Sequence, residues 1–226
     1  MAELFGRFYQ TQILPVYTPV FFKLLGQGLA VTLEISLSTI VISFLFGSLL
    51  AIARNARNRA ASCLAAVYIE TVRNIPLLFF ITLMRFFSPF TPVVGAIIAM
   101  SLFTSGVVAE IVRGGLNGVP RGQWEAARSQ GFGTFRAMVH VILPQAYRRI
   151  LAPMIAQFVT TIKDTSFCAA LAMGDLYDNA KKAINQLGLY QNTAMIYITV
   201  ALVYFVVCYT FTTLARRVQR SAYVIK

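Results

Sequence analysis

The polar side chains placed to bind or move something fall into two groups. One is the run Thr160-Thr161-Ile162-Lys163-Asp164-Thr165-Ser166, set between apolar stretches. It offers a carboxylate for an ammonium group, at Asp164, and hydroxyls for amide or carboxyl atoms, at Thr161, Thr165 and Ser166. A polar run that interrupts a span marks unwound backbone, and at membrane depth such backbone lines a site; an ordinary loop cap on the outer side is the alternative. The other group is a scatter of ionisable residues inside apolar segments: Glu34, Glu70, Arg73, Arg85 and Glu110, with Asn74 beside Arg73. At the centre of a membrane helix each costs at least ~2.5–3.5 kcal/mol, so they should face the protein interior or a water-filled path. Glu70 and Arg73, three apart, read equally well as an ion pair on one helix face. Catalysis finds little support. The only His, His140, stands apart from the carboxylates, and no nucleophile–base pair is visible. Cys63, Cys168 and Cys208 lack metal-type spacing and read as membrane-core residues. Neither a catalytic residue nor a metal or cofactor site is expected in this chain.

The elements that position these residues are membrane helices. Hydrophobic residues make up 58% of the 226 and charged ones only 12%, about half the charge of a soluble domain. A helix needs ~20 mostly apolar residues to cross the hydrocarbon core. Residues 28–53, 93–112 and 193–215 meet that length cleanly. Residues 64–87 are long enough but hold Glu70, Arg73, Arg85 and Pro76, a proline that frees a backbone carbonyl one turn back. Residues 145–162 span only if their helix begins near Gln145. The expectation is an all-α membrane protein with five spans in one transmembrane domain, residues 1–226. The start of the chain lacks the basic, apolar and small-residue order of a cleavable signal. Residues 13–25, interrupted by Pro15 and Pro19, are expected to lie along the outer interface.

The net charge of +12 would raise nucleic acid as a partner in a soluble chain, but position argues otherwise. With the N-terminus outside, the inner segments hold Arg54, Arg57, Arg59, Arg113, Arg121, Arg128, Arg136, Arg148, Arg149, Arg216, Arg217, Arg220 and Lys226. The outer side keeps Arg7, Lys23, Lys163, Lys181 and Lys182. That bias sets an N-out, C-in orientation. The basicity is topological, and no nucleic-acid partner follows from it.

One polar insert stands out, "VPRGQWEAARSQGFGTFRAMVHVILPQA" (119–146), within the longest cytoplasmic connection. Pro120 suits the first turn of a short helix, and Gly131 stands where a left-handed residue would end it. Phe132 and Gly133 make a corner, and Thr134 can cap a second helix over 135–143, which Pro144 bends into the fourth span. Ala126 and Ala127 give a small face that another surface can approach, with Trp124 and Phe132 as apolar anchors. An amphipathic loop on lipid headgroups and a docking element for a cytoplasmic protein are both compatible with the pattern.

Glu125-Ala126-Ala127, Gly131 four residues beyond, and Ile142-Leu143-Pro144 resemble the EAA loop of ABC-importer permeases. "GLAVTLEIS" (28–36), "VRNIPLL" (72–78), "AEIVRGGL" (109–116), "VPRGQWEAA" (119–127) and "IKDTSF" (162–167) are similar to the permeases for polar amino acids in particular. The resemblance implies a type I ABC importer permease fold in the bacterial inner membrane. It implies that the loop 117–144 couples to an ATPase through Gln123, Trp124, Glu125, Ala126, Ala127, Gly131, Phe132 and Pro144. The implied partners are a cytoplasmic ABC ATPase dimer carrying ATP and Mg, a second permease subunit, an extracytoplasmic amino-acid-binding protein and membrane lipid. No G-x-x-x-x-G-K-[ST] loop occurs here to cradle ATP phosphates. The solute path would draw on Arg73, Asn74, Arg85, Glu110, Thr161, Asp164, Thr165 and Ser166. A guanidinium at Arg85 favours carboxylates, hence glutamate, aspartate or glutamine. Asp164, Glu34 and Glu110 would serve cationic amino acids instead, and cystine stays open. Residues 174–188 would touch the binding protein or simply cover the bundle. An ion-gradient-driven transporter is the distant alternative, lacking an inverted repeat.

Overall fold

A computed structural model describes residues 6, 10–11, 15–56 and 58–224, the side chains of 221–224 excepted. Arg7, Arg57 and Lys226, three of the basic residues that bias the charge, lie outside the described residues, as does most of the N-terminal segment expected to lack a signal. Among the described residues all regular structure is helical: α1 Pro19–Arg54, α2 Arg59–Asn74, α3 Leu77–Phe87, α4 Pro92–Asn117, α5 Arg121–Ser129, α6 Thr134–Ala137, a π turn Met138–Ile142, α7 Leu143–Asp164, a 3-10 helix Thr165–Leu171, α8 Leu176–Leu187, a short 3-10 turn Tyr190–Asn192 and α9 Thr193–Val224.

Among the described residues three helices are long and apolar enough to cross a membrane: Pro19–Arg54, Pro92–Asn117 and Tyr190–Arg220, with α2 and α3 a fourth if that bent pair is one span. α7 has 22 residues, about 33 Å at 1.5 Å per residue, but Gln145, Arg148, Arg149 and Gln157 lower its hydropathy.

Two expectations change here. Pro19 opens α1 rather than interrupting an interfacial strip, since proline's fixed φ suits a first helical turn, and the Thr18 hydroxyl accepts the Phe21 N–H at 3.2 Å. Pro76 does more than kink a helix. Ile75 takes extended backbone, φ −101° and ψ 133°, as a residue before proline prefers, so α2 and α3 are separate helices.

The chain divides into two compact units. In the first (Met1–Ser38, Leu78–Ala99, Thr161–Thr210), α8 is amphipathic, and Leu176, Ala180, Ala183 and Ile184 pack with Phe21, Leu25, Ile196 and Val200. Asp175 caps α8 by accepting the Tyr177 and Asp178 N–H groups. The start of α8 lies against α1 at Gly28, where a Cβ would stand 2.8 Å from the Leu176 Cα. One turn on, the Thr32 hydroxyl accepts the Leu176 N–H at 3.0 Å. Small buried residues recur along that edge of α1: Gly28, Thr32, Ser36, Thr39, Ser43, Gly47 and Ala51. Such residues let membrane helices approach closely.

In the second unit (Thr39–Leu77, Met100–Thr160, Phe211–Lys226), Ala51, Ile69 and Ala109 join α1, α2 and α4. The Tyr68 hydroxyl donates to the Leu102 carbonyl at 3.0 Å and pairs with Ser105. Val119, Ile142 and Ala146 form a further apolar cluster between the insert and α7.

Candidate coupling segment and solute path

The insert is built from local rules that the sequence displays. Pro120 precedes α5, and α5 ends on Gly131 at φ +80°, a left-handed value that costs other L-residues roughly 1–2 kcal/mol. The Phe132 N–H donates to the Ala127 carbonyl at 3.1 Å and the Gly131 N–H to Arg128 at 2.9 Å, which satisfies carbonyls a helix end otherwise orphans. α6 then starts after Gly133. Gly133, not Thr134, holds the capping position, and no side chain caps that helix. The expected helix over 135–143 is α6 plus a π turn, continuous with α7. Proline lacks an N–H, and its ring would collide with the carbonyl four residues back. A wider π turn just before Pro144 accommodates both features.

The two alanines do not share a face. Ala127 is buried, while Gln123, Glu125, Ala126, Arg128 and Gly131 are exposed and Phe132 is half-buried. Trp124 turns toward its own chain and packs with Leu116, Met138, Val141 and Ile150 around the Val119–Ile142–Ala146 cluster. Two cavities of about 450 Å³ flank it. One is lined by Arg121, Glu125 and Arg128 with Leu116, Asn117 and Val119, the other by Ile52, Asn55 and Ala56 with Leu116, Asn117, Met138 and Ile142. Gln145 on α7 donates to the Gln123 side chain at 3.0 Å and to the Val141 carbonyl. α5 is thus fastened to the ends of α4 and α7.

The residues expected along a solute path fall into the two units. In the second, Arg73 pairs with Glu110 (3.8 Å), not with Glu70, whose carbonyl instead accepts the Asn74 amide at 2.7 Å. Arg113 also grips Glu110; sequence reasoning counted it only as an inner-side charge, although its i,i+3 spacing was visible. In the first unit, Lys163-Asp164-Thr165-Ser166 is not unwound. α7 runs through Asp164 and tightens into the 3-10 helix. Thr161 and Thr165 are buried, and Asp164 and Ser166 half-buried. The Thr165 hydroxyl donates to the Ile162 carbonyl at 2.8 Å and lies 3.5 Å from the Tyr204 hydroxyl, a partner the sequence did not reveal. Arg85 donates through Nε to the Leu171 carbonyl at 3.3 Å, so it is engaged with the protein's own backbone. Glu34 is exposed on α1. Among the described residues no cluster of His, Cys, Asp or Glu is arranged to hold a metal ion.

At the start of α8, burial of Asp175 pushes its carboxyl up to about 6, against the two N–H bonds of its cap. Lys182 pairs with Asp178 at 2.8 Å, and a cavity of about 560 Å³ lies beside them, bordered by Ala172, Asn185, Thr193 and Tyr197.

Residues 43–222 match the family described as binding-protein-dependent transport system inner membrane component. The chain is 35% identical over 212 residues to the probable glutamine ABC transporter permease protein GlnP of Bacillus subtilis (strain 168), covering 90% of this chain and 95% of the relative. It is 30% identical to the L-cystine transport system permease protein TcyB of the same organism, over 88% and 87% of the two chains. A crystal structure of an amino acid ABC transporter with histidines aligns with a TM-score of 0.81 and 30% identity, over 89% of this chain and 95% of that one. The helical fold is that of type I ABC permeases. On the family match and these identities, the chain belongs to the binding-protein-dependent transport system inner membrane components.

Proposed function

We propose that this chain is the transmembrane subunit of an ATP-driven importer of polar amino acids in the bacterial inner membrane. Its partners are a cytoplasmic ATPase pair that carries ATP and Mg, a second permease subunit and an extracytoplasmic binding protein. Five spans form one domain, with α7 as the fourth and the bent α2–α3 pair as the second, N-terminus outside and C-terminus inside. The asymmetry of Lys and Arg supports that orientation, and the length of α7 supports its crossing.

The observation that carries the reading is α5. It is a short helix with exposed Gln123, Glu125 and Ala126, a buried Ala127 and Gly131 exposed just past its end, locked to α4 and α7 through Trp124 and Gln145. Such an element transmits a push, and no phosphate-binding loop in the chain would supply one. ATP-driven closure of the ATPases would draw two such helices together, the energy coming from differential binding of the two states.

Glutamine and the acidic amino acids lead as substrates. Similarity to a glutamine permease supports this, whereas Arg85 does not, being committed to Leu171. Similarity to a cystine permease favours cystine as the second reading. Arg73, Asn74, Glu110, Thr161, Asp164, Thr165 and Ser166 remain the proposed path. In a detergent pulldown the ATPase should co-purify with the wild type and be lost with Gly131→Asp; retention by that variant would remove the coupling role from this loop.

A further inference from the structure

The 3-10 helix after the Lys163-Asp164-Thr165-Ser166 run ends in an unusual joint. Ala172 takes a left-handed backbone, φ +50° and ψ +49°, the one positive-φ residue other than glycine among those described. Strain of this kind persists only where the surroundings over-determine it. Two residues on, Gly174 is fixed to α8, its N–H donated to Asp178 at 2.9 Å and its carbonyl accepting from Asn179 at 3.1 Å. Upstream, the last carbonyls of a 3-10 helix have no partner inside it. Here two cations from different elements take them: Lys181 of α8 donates to Ala169 at 2.9 Å and Arg85 of α3 to Leu171 at 3.3 Å. The Tyr177 ring, 5.4 Å from the Lys181 ammonium, helps to aim it.

We infer that Arg85 and Lys181 are positioning residues for the solute path, forming a releasable clamp on the 3-10 helix whose first residues are Thr165 and Ser166, with Ala172 as its hinge. Lys181 bridges the hinge from one side, and Arg85 ties the same helix end to α3. Both bonds are charge-assisted and so strong, yet both come from long side chains that can swing away without disturbing a packed core. Releasing them would let the short helix shift at Ala172, carrying Thr165, Ser166 and the end of α7 continuous with them. Arg85 thereby acts on every solute alike and reads none.

This inference rests on the transport reading, and two measurements keep the two separable. In the purified permease alone, Arg85→Gln and Lys181→Gln should each speed amide exchange across residues 165–174 by about tenfold, the loss expected for one charged hydrogen bond, while α4 amides keep their rates. Arg85→Lys should restore most of the protection. Unchanged exchange in both variants overturns the clamp. In vesicles holding permease, ATPase and binding protein, both Gln variants should lower glutamine, glutamate and arginine uptake by one common factor and raise the ATP hydrolysed per solute moved. A changed glutamate-to-arginine ratio in Arg85→Gln would make Arg85 a solute contact and overturn the inference. A fall in uptake with unchanged ATP per solute and a lowered unfolding temperature would leave only a structural role, and would overturn it too. If the wild type moves no solute at the expense of ATP, the transport reading fails, and the exchange rates alone decide the clamp.

Discussion

Arg113 holds Glu110 by both oxygens, Nε to Oε1 at 2.8 Å and Nη2 to Oε2 at 2.7 Å, while Arg73 approaches the same carboxylate from α2. Glu110 is therefore already neutralised by the protein and offers no spare charge to a cationic solute. Glu110→Gln removes an ion-pair set that ties α2 to α4, worth about 1 kcal/mol for groups this exposed. Uptake of glutamate and of arginine should fall together by roughly fivefold. A loss confined to arginine, in paired uptake assays, would make Glu110 a direct contact for cationic solutes.

Gly131 and Gly133 give a built-in comparison. Gly131 is left-handed at φ +80°, whereas Gly133 has ordinary extended backbone, φ −63° and ψ 161°. Neither would meet a clash on gaining a Cβ, so backbone conformation alone separates them. Gly131→Ala should cost roughly 1–2 kcal/mol, loosen the end of α5 and reduce ATPase retained in a pulldown. Gly133→Ala should leave retention unchanged. Equal effects would mean that the α5 terminus is not what the ATPase reads.

Gly28 permits the close approach of α1 and α8. A Cβ there would stand 2.8 Å from Leu176 Cα and 2.9 Å from the Asp175 carbonyl oxygen, while a Cβ at Gly26 meets nothing within 4 Å. Gly28→Ala should destabilise the first unit by about 1–3 kcal/mol through overpacking, and Gly26→Ala should be neutral or slightly stabilising. Thermal unfolding in detergent compares the two.

Asp175 supplies a pH dependence with a definite sign. Its carboxyl titrates at about 6 in the fold, against an ordinary value of 3.8, because burial disfavours the charge. The folded state therefore binds a proton between those values that the unfolded chain has released. The stabilisation is fully present below about pH 4 and is lost as pH rises through about 6. Two pH units correspond to about 3 kcal/mol at most. Asp175→Asn keeps a capping oxygen and should flatten the wild type's decline in stability between pH 4 and 7. A slope unchanged in the variant would assign the decline to another group.

Much of this was legible in the sequence because it follows from local rules. Pro120 and Gly131 mark helix entry and helix exit, since each residue type restricts its own backbone; the bend expected at Pro144 is instead a π turn running on into α7. The apolar lengths of α1, α4 and α9 declare themselves by composition. Where the sequence misled, partners distant in the chain decided the outcome. Glu70 and Arg73 have ion-pair spacing, but Glu110 on α4 competes for the guanidinium. Arg85 looked free until the 3-10 helix brought the Leu171 carbonyl to it. The polar run at 163–166 read as unwound because its side chains are hydrophilic, yet nothing in it prevents helical backbone, and the helix simply tightens. The small buried edge of α1 went unnoticed because glycine, serine and threonine scattered through an apolar segment carry no hydropathy signal.

Energising by an outside ATPase is the claim on which the rest stands. Its most direct measurement is uptake of labelled glutamine into vesicles containing the permease and an extravesicular pool of binding protein, with and without the ATPase and internal ATP. Glutamine should accumulate only when ATPase and ATP are both present, and not at all with Gly131→Asp. Accumulation by the permease alone, driven by an ion gradient, would contradict the claim.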